Sequence, residues 1–239
     1  KARERTLFGT VVDRMDNPVE GLDVANLVVR EDGVRREILR LSRATEPIDV
    51  AVLVDNAASS GELIPRVREG LKGFIEAMTP QHSVALVTLA ERPTIFVDYT
   101  TNPQSLLKGT GRLFTMTSSG MTLLDALVEV ADGMRRREAV RTAIVPIVTD
   151  GIEYTSHRYQ DVLDAIARSG AGLYPITVGR FVLTNDDTER DREVVLNTGP
   201  NVSGGQRFPV LSSHAIEATM ARVAPHLTSQ YKVVYSRPE

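Results

Sequence analysis

Positions 48–54 are apolar except for Asp49, and the run ends on Asp55 before breaking into the small polar residues 56–61. An apolar, β-branched-rich run of this length, closed by loop-forming residues, predicts a central strand buried on both faces that delivers Asp55 to a loop. The rest of the chain is placed against that strand. Leu63, Ile64, Val67, Leu71, Phe74, Ile75 and Met78 recur at helical spacing, so residues 61–78 are expected to form an amphipathic helix that packs on it. Residues 83–89 read as a second strand, and Pro93 opens a short return over 94–99, expected as an antiparallel edge hairpin. Asn102-Pro103 starts a helix to about Leu113, and residues 117–120 are loop by composition. Residues 122–137 carry Leu123, Leu124, Leu127, Val130 and Met134 along one side of another helix. The run 143–148 is a strand that again ends on a carboxylate, Asp150, followed by Gly151.

Further along, residues 159–169 form a helix stopped by Gly170, and 173–178 the next strand. Residues 180–205 are polar, with one short helix expected around 190–197 between loops. A last helix over 212–228, capped by Ser212 or Ser213, and a last strand over 230–235 complete the pattern. The first 46 residues differ: 7–13, 27–30 and 36–41 read as strands, with a turn at Asp16-Asn17-Pro18 and a hairpin turn at Asp32-Gly33, where glycine supplies a positive φ without a Cβ clash. Two parts are therefore expected, a small β unit over 1–46 and an α/β domain over 47–239. The β unit is expected to dock on the sheet domain, with the two chain ends pairing as strands so that open edges are satisfied. Strands alternating with helices predict a doubly wound, mainly parallel sheet, in which ligands sit outside the carboxyl ends of the strands. Asp55 and Asp150 both fall at such ends.

Composition narrows the chemistry. The 239 residues are 42% hydrophobic and 25% charged, with a formal net charge of −3, as in an ordinary soluble globular protein; no basic field points to nucleic acid. The Arg35-Arg36 and Arg135–Arg137 clusters read as solvated element ends. There is no cysteine, so disulfides, thiolate metal sites and a cysteine nucleophile are excluded. No apolar run approaches the roughly 20 residues needed to cross a bilayer. A start at Lys1, without an initiator methionine or a signal-like segment, is expected of a trimmed or mature fragment. The four histidines, His82, His157, His214 and His226, have no metal-ligand spacing; Ser156-His157 is no triad, and neither a Gly-x-Ser-x-Gly elbow nor a phosphate loop is present. A hydrolase is accordingly the least favoured reading.

The loops at Asp55–Ser59, Ser119–Thr122 and Thr149–Gly151 bring carboxylate and hydroxyl oxygens to the strand ends, which suits a hard cation taking about six oxygens, several from water. The competing reading makes the hydroxyls helix caps, because Ser59-Ser60-Gly61-Glu62 and Thr122-Leu123-Leu124-Asp125 both resemble capping boxes.

Asp55, Ser59, Thr122 and Asp150, in Val-Leu-Val-Asp55, Gly120-Met-Thr122 and Ile-Val-Thr-Asp150-Gly151, resemble the von Willebrand factor type A domain and its metal-ion-dependent adhesion site, Asp-x-Ser-x-Ser with a later Thr and Asp. The departure is Ala57, which stands where the pattern has its first serine and has no oxygen to give. Residues 12–38, with Ser203-Gly204-Gly205 and Ser229-Gln230-Tyr231, are similar to the VWFA-related Acidobacterial domain family. The resemblance implies a Rossmann-like fold and export from a bacterial cell, to the periplasm or beyond. It also implies a non-enzymatic module that binds a protein partner, with an acidic residue of that partner completing a cation's shell. The ion is Mg²⁺, Mn²⁺ or Ca²⁺, or none because of Ala57. The alternative is a structural scaffold with a vestigial, metal-free site that binds through another surface. Oligomeric state is left open.

Overall fold

In the computed structural model, which describes residues 3–180 and 186–237, the first element is strand β1 (Arg3–Gly9). It starts earlier than the expected 7–13 and ends at Gly9. Val12 makes only a lone bridge to Pro18, because Asp13 Oδ1 accepts from the backbone N–H of Met15 (2.8 Å) and Asn17 (2.9 Å) and folds the chain back. Strands β2 (Val29–Glu31) and β3 (Val34–Arg36) form the hairpin expected at Asp32-Gly33; both turn residues have positive φ, 52° and 77°. Strand β4 (Ile38–Arg43) follows.

The apolar run is strand β5 (Ile48–Val54), and its last five residues are fully buried. Helix α1 (Leu63–Met78) buries the periodic residues expected of it. Strands β6 (Ser83–Thr88) and β7 (Thr94–Thr100) make the edge hairpin. Helix α2 (Pro103–Gly111) is capped by Asn102, whose side chain accepts from Gln104 and Ser105. Then come α3 (Leu123–Arg137), β8 (Arg141–Thr149) and α4 (Tyr159–Ser169), which ends at Gly170.

Three departures follow. The strand expected over 173–178 is interrupted at Tyr174-Pro175 into β9 (Gly172–Leu173) and β10 (Ile176–Val178), both paired with β8. Helix α5 (Asp187–Ser203) is far longer than the expected 190–197. Asp186 caps it, accepting from Thr188 N (2.8 Å) and Glu189 N (3.2 Å), and it buries Asp191 and Arg192 beside Val195 and Leu196. Charged residues at buried positions break the apolar period, so the full length of the helix is invisible to pattern. The three-residue strand β11 (Phe208–Val210) is too short to register as a run. Part of the loop expected before the helix, residues 181–185, lies outside the described residues.

After a 3-10 turn over 213–215, capped by Ser212, come helix α6 (Ile216–Thr228) and strand β12 (Tyr231–Arg237). Residues 47–223 form one compact unit, and those before 47 and after 223 another. In the larger unit the sheet order is β11-β10-β8-β5-β6-β7, parallel except for β7. The helices gather in two groups, α1 with α2 and the start of α6, and α3 with α4 and α5. The smaller unit is a three-stranded antiparallel sheet, β1-β12-β4, with the β2–β3 hairpin; the chain ends do pair, Arg3 opposite Arg237 through Gly9 opposite Tyr231.

Candidate metal-ion site at the strand ends

Register places the site. Val54 lies opposite both Thr88 and Ile147, and Thr149 opposite Val178, so β5, β6, β8 and β10 run out at one end of the sheet. Asp55 is the first residue past β5 and is completely buried. A carboxylate there needs donors, and the protein supplies three. Oδ1 accepts from Ala57 N (2.9 Å), and Oδ2 accepts from Thr149 N (3.1 Å) and Thr149 Oγ1 (2.5 Å).

The direction of those bonds decides what Ser59 can do. Thr149 has one hydroxyl proton, and Asp55, being an acceptor, takes it. Ser59 Oγ, 3.0 Å from Thr149 Oγ1, must therefore be the donor of that pair. Thr122 Oγ1 likewise donates to the carbonyl of Leu89 at 2.7 Å. Both hydroxyl protons are committed to the protein, and what each oxygen has left is lone pairs. That is the donor set a hard cation takes.

Neither hydroxyl is a helix cap. Helix α1 begins four residues after Ser59 behind Glu62, which makes no side-chain cap bond, and Thr122 precedes α3 without capping it. The N–H that a capping threonine would take is held instead by Glu153, whose Oε1 accepts from Leu124 N at 3.0 Å. The capping reading is thus corrected at both positions: tertiary partners outcompete the local ones.

Asp150 is exposed, and its side chain makes no hydrogen bond or ion pair among the described residues. It stands against the end of β10, where a Cβ on Gly179 would lie 3.7 Å from its carboxyl carbon. Asp55, Ser59 and Thr149 form one hydrogen-bonded chain. Thr122 adjoins it through Leu89, whose N–H bonds to Val54 O (3.2 Å) and Asn56 Oδ1 (3.1 Å). Ala57 is buried and presents only a methyl. Among the described residues no three Asp, Glu or His side chains gather into a cation cage. A cation here would be held by the Ser59 and Thr122 hydroxyls, carboxylate oxygens and water, with water serving where Ala57 has no oxygen, and such a set fits Mg²⁺, Mn²⁺ or Ca²⁺.

Gly151 keeps the arrangement open. A Cβ there would fall 2.2 Å from Ser59 Oγ and 2.9 Å from Ser59 Cβ. Gly151→Ala is therefore expected to break the Ser59–Thr149 bond and to destabilise the fold by about 1–3 kcal/mol, as overpacking does. Thermal unfolding checks the stability, and a crystal structure of the variant checks the Ser59 rotamer.

Sequence reading missed the residues that hold the loops. Buried Asn56 accepts from Leu89 N and Ala90 N and donates to Phe114 O (3.3 Å), so one amide ties three loops. Asp125 Oδ1 accepts from Thr155 Oγ1 (2.5 Å) and Ser156 N (3.1 Å), and the Arg192 guanidinium donates to Gly151 O. Glu153 is 2% exposed; burial pushes its carboxyl up to about 8, against the lowering pull of the Leu124 N–H and the Arg192 charge, and its Oε2 has no hydrogen-bond partner among the described residues. Asn56 sits beside the motif and its amide was a usable signal. Nothing in one sequence marks Glu153 or Arg192 as buried.

Two of the histidines have local partners. His157 N donates to Thr155 Oγ1, and the Ser212–His214 pair (3.0 Å) is a local cap of the 3-10 turn.

Residues 50–153 match the family model of the von Willebrand factor type A domain. Similar solved structures include a von Willebrand factor type A protein from Catenulispora acidiphila, 12% identical with a TM-score of 0.61 over 95% of this chain and 50% of that one. Another is proximal thread matrix protein 1 from the mussel byssus, described with a zinc-occupied MIDAS motif, 14% identical with a TM-score of 0.62 over 83% of this chain and 50% of that one. A third is the vWF domain of the type V pili tip protein Mfa5 from Porphyromonas gingivalis, 13% identical with a TM-score of 0.58 over 76% and 95%. At such identities the likeness is one of fold. The chain spans about half the length of the first two. No curated protein matches it.

Proposed function

We propose that this chain, which carries a von Willebrand factor type A domain, is a non-enzymatic module that binds a protein partner through its strand-end loops. The observation that carries this reading is the commitment of the Ser59 and Thr122 protons to Thr149 and Leu89, which leaves two oxygens as acceptors at the end of the sheet beside exposed Asp150. Those residues would hold Mg²⁺, or Mn²⁺ or Ca²⁺ in its stead, and a bound ion supplies an open position for an acidic side chain of the partner. The chain's own part is to aim the lone pairs, to satisfy the Asp55 carboxylate with donors, and to keep the loops rigid through Asn56 and Asp125. An exported location agrees with neighbours whose names place them at a pilus tip and in a byssus. Among the described residues no helix is long and apolar enough to cross a membrane. The narrower reading, the VWFA-related Acidobacterial family, is supported by sequence resemblance alone, in residues 12–38 and Ser229-Gln230-Tyr231.

A second reading rests on Ala57 and on Asp55, whose oxygens are occupied by protein donors: the site is vestigial, and the fold is a scaffold that binds elsewhere. Calorimetric titration with Mg²⁺ and Mn²⁺ separates the two. The adhesion reading expects binding in the native chain that Asp150→Ala abolishes. Silence in the native chain with binding restored by Ala57→Ser would establish the vestigial one.

A further inference from the structure

Helix α3 lies over β5 and β8 and packs next against α4; on the same side of the sheet Val87 of β6 is buried, whereas β7 leaves Ile95 exposed. The opposite face is closed, since Gly109 of α2 sits against Val97 and Leu86. Side chains alternate across a strand. Val87, next to Leu86, turns to the other face, and Ile95, brought opposite Val87 by a register shift in β7, lines with it a cavity of about 500 Å³ together with Tyr99 and Val128. Ile95 is 66% exposed, an apolar side chain open to solvent on the sheet.

The walls are built rather than loose. The Arg137 guanidinium lies 4.1 Å over the Tyr99 ring, and its Nε is 2.9 Å from Asp49 Oδ2, so it pins the ring and spends its charge on Asp49. Burial first, and then the Asp49 carboxylate, holds the Tyr99 phenol above its usual range, so it stays a neutral donor; its hydroxyl makes no hydrogen bond among the described residues. Among the described residues the rim carries Asp98, Glu129 and Asp132 against Arg136, a cation outside any ion pair; Asp132 makes a 3.7 Å exposed contact with Arg135. An apolar floor under a net acidic rim is complementary to apolar groups beside cations. Strand β7 slips register against β6 at two places, which spoils its outer edge as a template for another strand. The occupant enters by its side chains.

We infer that this groove binds an amphipathic segment of a partner protein, with apolar side chains on Ile95 and Val128 and lysine or arginine side chains toward Asp98, Glu129 and Asp132. It lies along the helix and edge strand, apart from the strand-end loops, and needs no cation.

Two fluorescein-labelled synthetic peptides of equal length, one alternating leucine and lysine and the other leucine and glutamate, test this on the whole chain. Anisotropy titration is expected to show the lysine peptide bound at least about tenfold more tightly, a preference reversed by the Glu129→Lys, Asp132→Lys double variant. Ile95→Arg is expected to weaken it by about tenfold. Methyl resonances of Ile95 and Val128 should move on binding. Equal affinities, insensitivity to all these changes, or shifts confined to the 150–156 loop would overturn the proposal. So would a concentration-dependent dimer of the free chain dispersed by Ile95→Arg, since the occupant would then be a second copy. All three sites are at the surface, and unchanged circular dichroism confirms that the variants fold.

Discussion

Glu153→Gln is expected to remove a pH dependence of stability that the native chain carries between about 4.5 and 8. In the folded chain burial holds the Glu153 carboxyl near 8, whereas the unfolded chain releases the proton near the ordinary 4.5. Below that range both states are protonated and the side chain costs nothing. Within it the folded state keeps a proton that the unfolded state has lost, so stability falls as pH rises, by about 1.4 kcal/mol per pH unit from this group alone. Above about 8 both states are ionised and the loss levels off. Arg192, Asp125 and Asp55 are the charges that bear on it, and desolvation outweighs them all. Glutamine keeps an oxygen for Leu124 N and cannot ionise. Urea denaturation of both proteins at pH 5.5, 7 and 8 measures the difference: the native curve should descend relative to the variant's. Parallel curves would mean that Glu153 is ionised in the fold and that Arg192 compensates it.

Asp55→Ala should cost about 3 kcal/mol or more, with or without a cation. It strands the Ala57 and Thr149 N–H groups and the Thr149 hydroxyl, three buried donors each worth about 1–3 kcal/mol when left unpaired. Asp150→Ala should change stability by less than about 0.5 kcal/mol, since that side chain is exposed and holds nothing. The two motif aspartates therefore do different jobs. Chemical denaturation of both variants in chelator measures this, and equal losses would show that Asp150 is structural too. Loss of binding in Asp55→Ala would say little about ligation, whereas loss in Asp150→Ala would say much.

The contrast shows where sequence reading stops. From Asp55 and Asp150, each ending an apolar run, one can place two carboxylates at strand ends, because burial on both faces leaves a contiguous signature. The hydroxyls of Ser59 and Thr122 are ambiguous, because a capping box and a ligand motif use the same residues at the same spacing. Only the partners settle the caps: Thr149 draws off the Ser59 proton, Leu89 draws off that of Thr122, and Glu153 takes the N–H a cap would have claimed. Asp191 and Arg192 erase the pattern of α5 for a related reason, since burying them depends on contacts from other segments.

What the sequence determined by itself is the order of the longer strands and helices, the hairpin at Asp32-Gly33 and the two strand-end aspartates. Each rests on short-range physics: side-chain period, turn conformation and the solvation of an apolar run. What the tertiary structure alone decided is the direction of the hydroxyl bonds, the raised Glu153 carboxyl, the pairing of β12 with β4, and the exposed side of β7. Those follow from which distant segments meet, and desolvation and hydrogen-bond direction are properties of the meeting rather than of any residue.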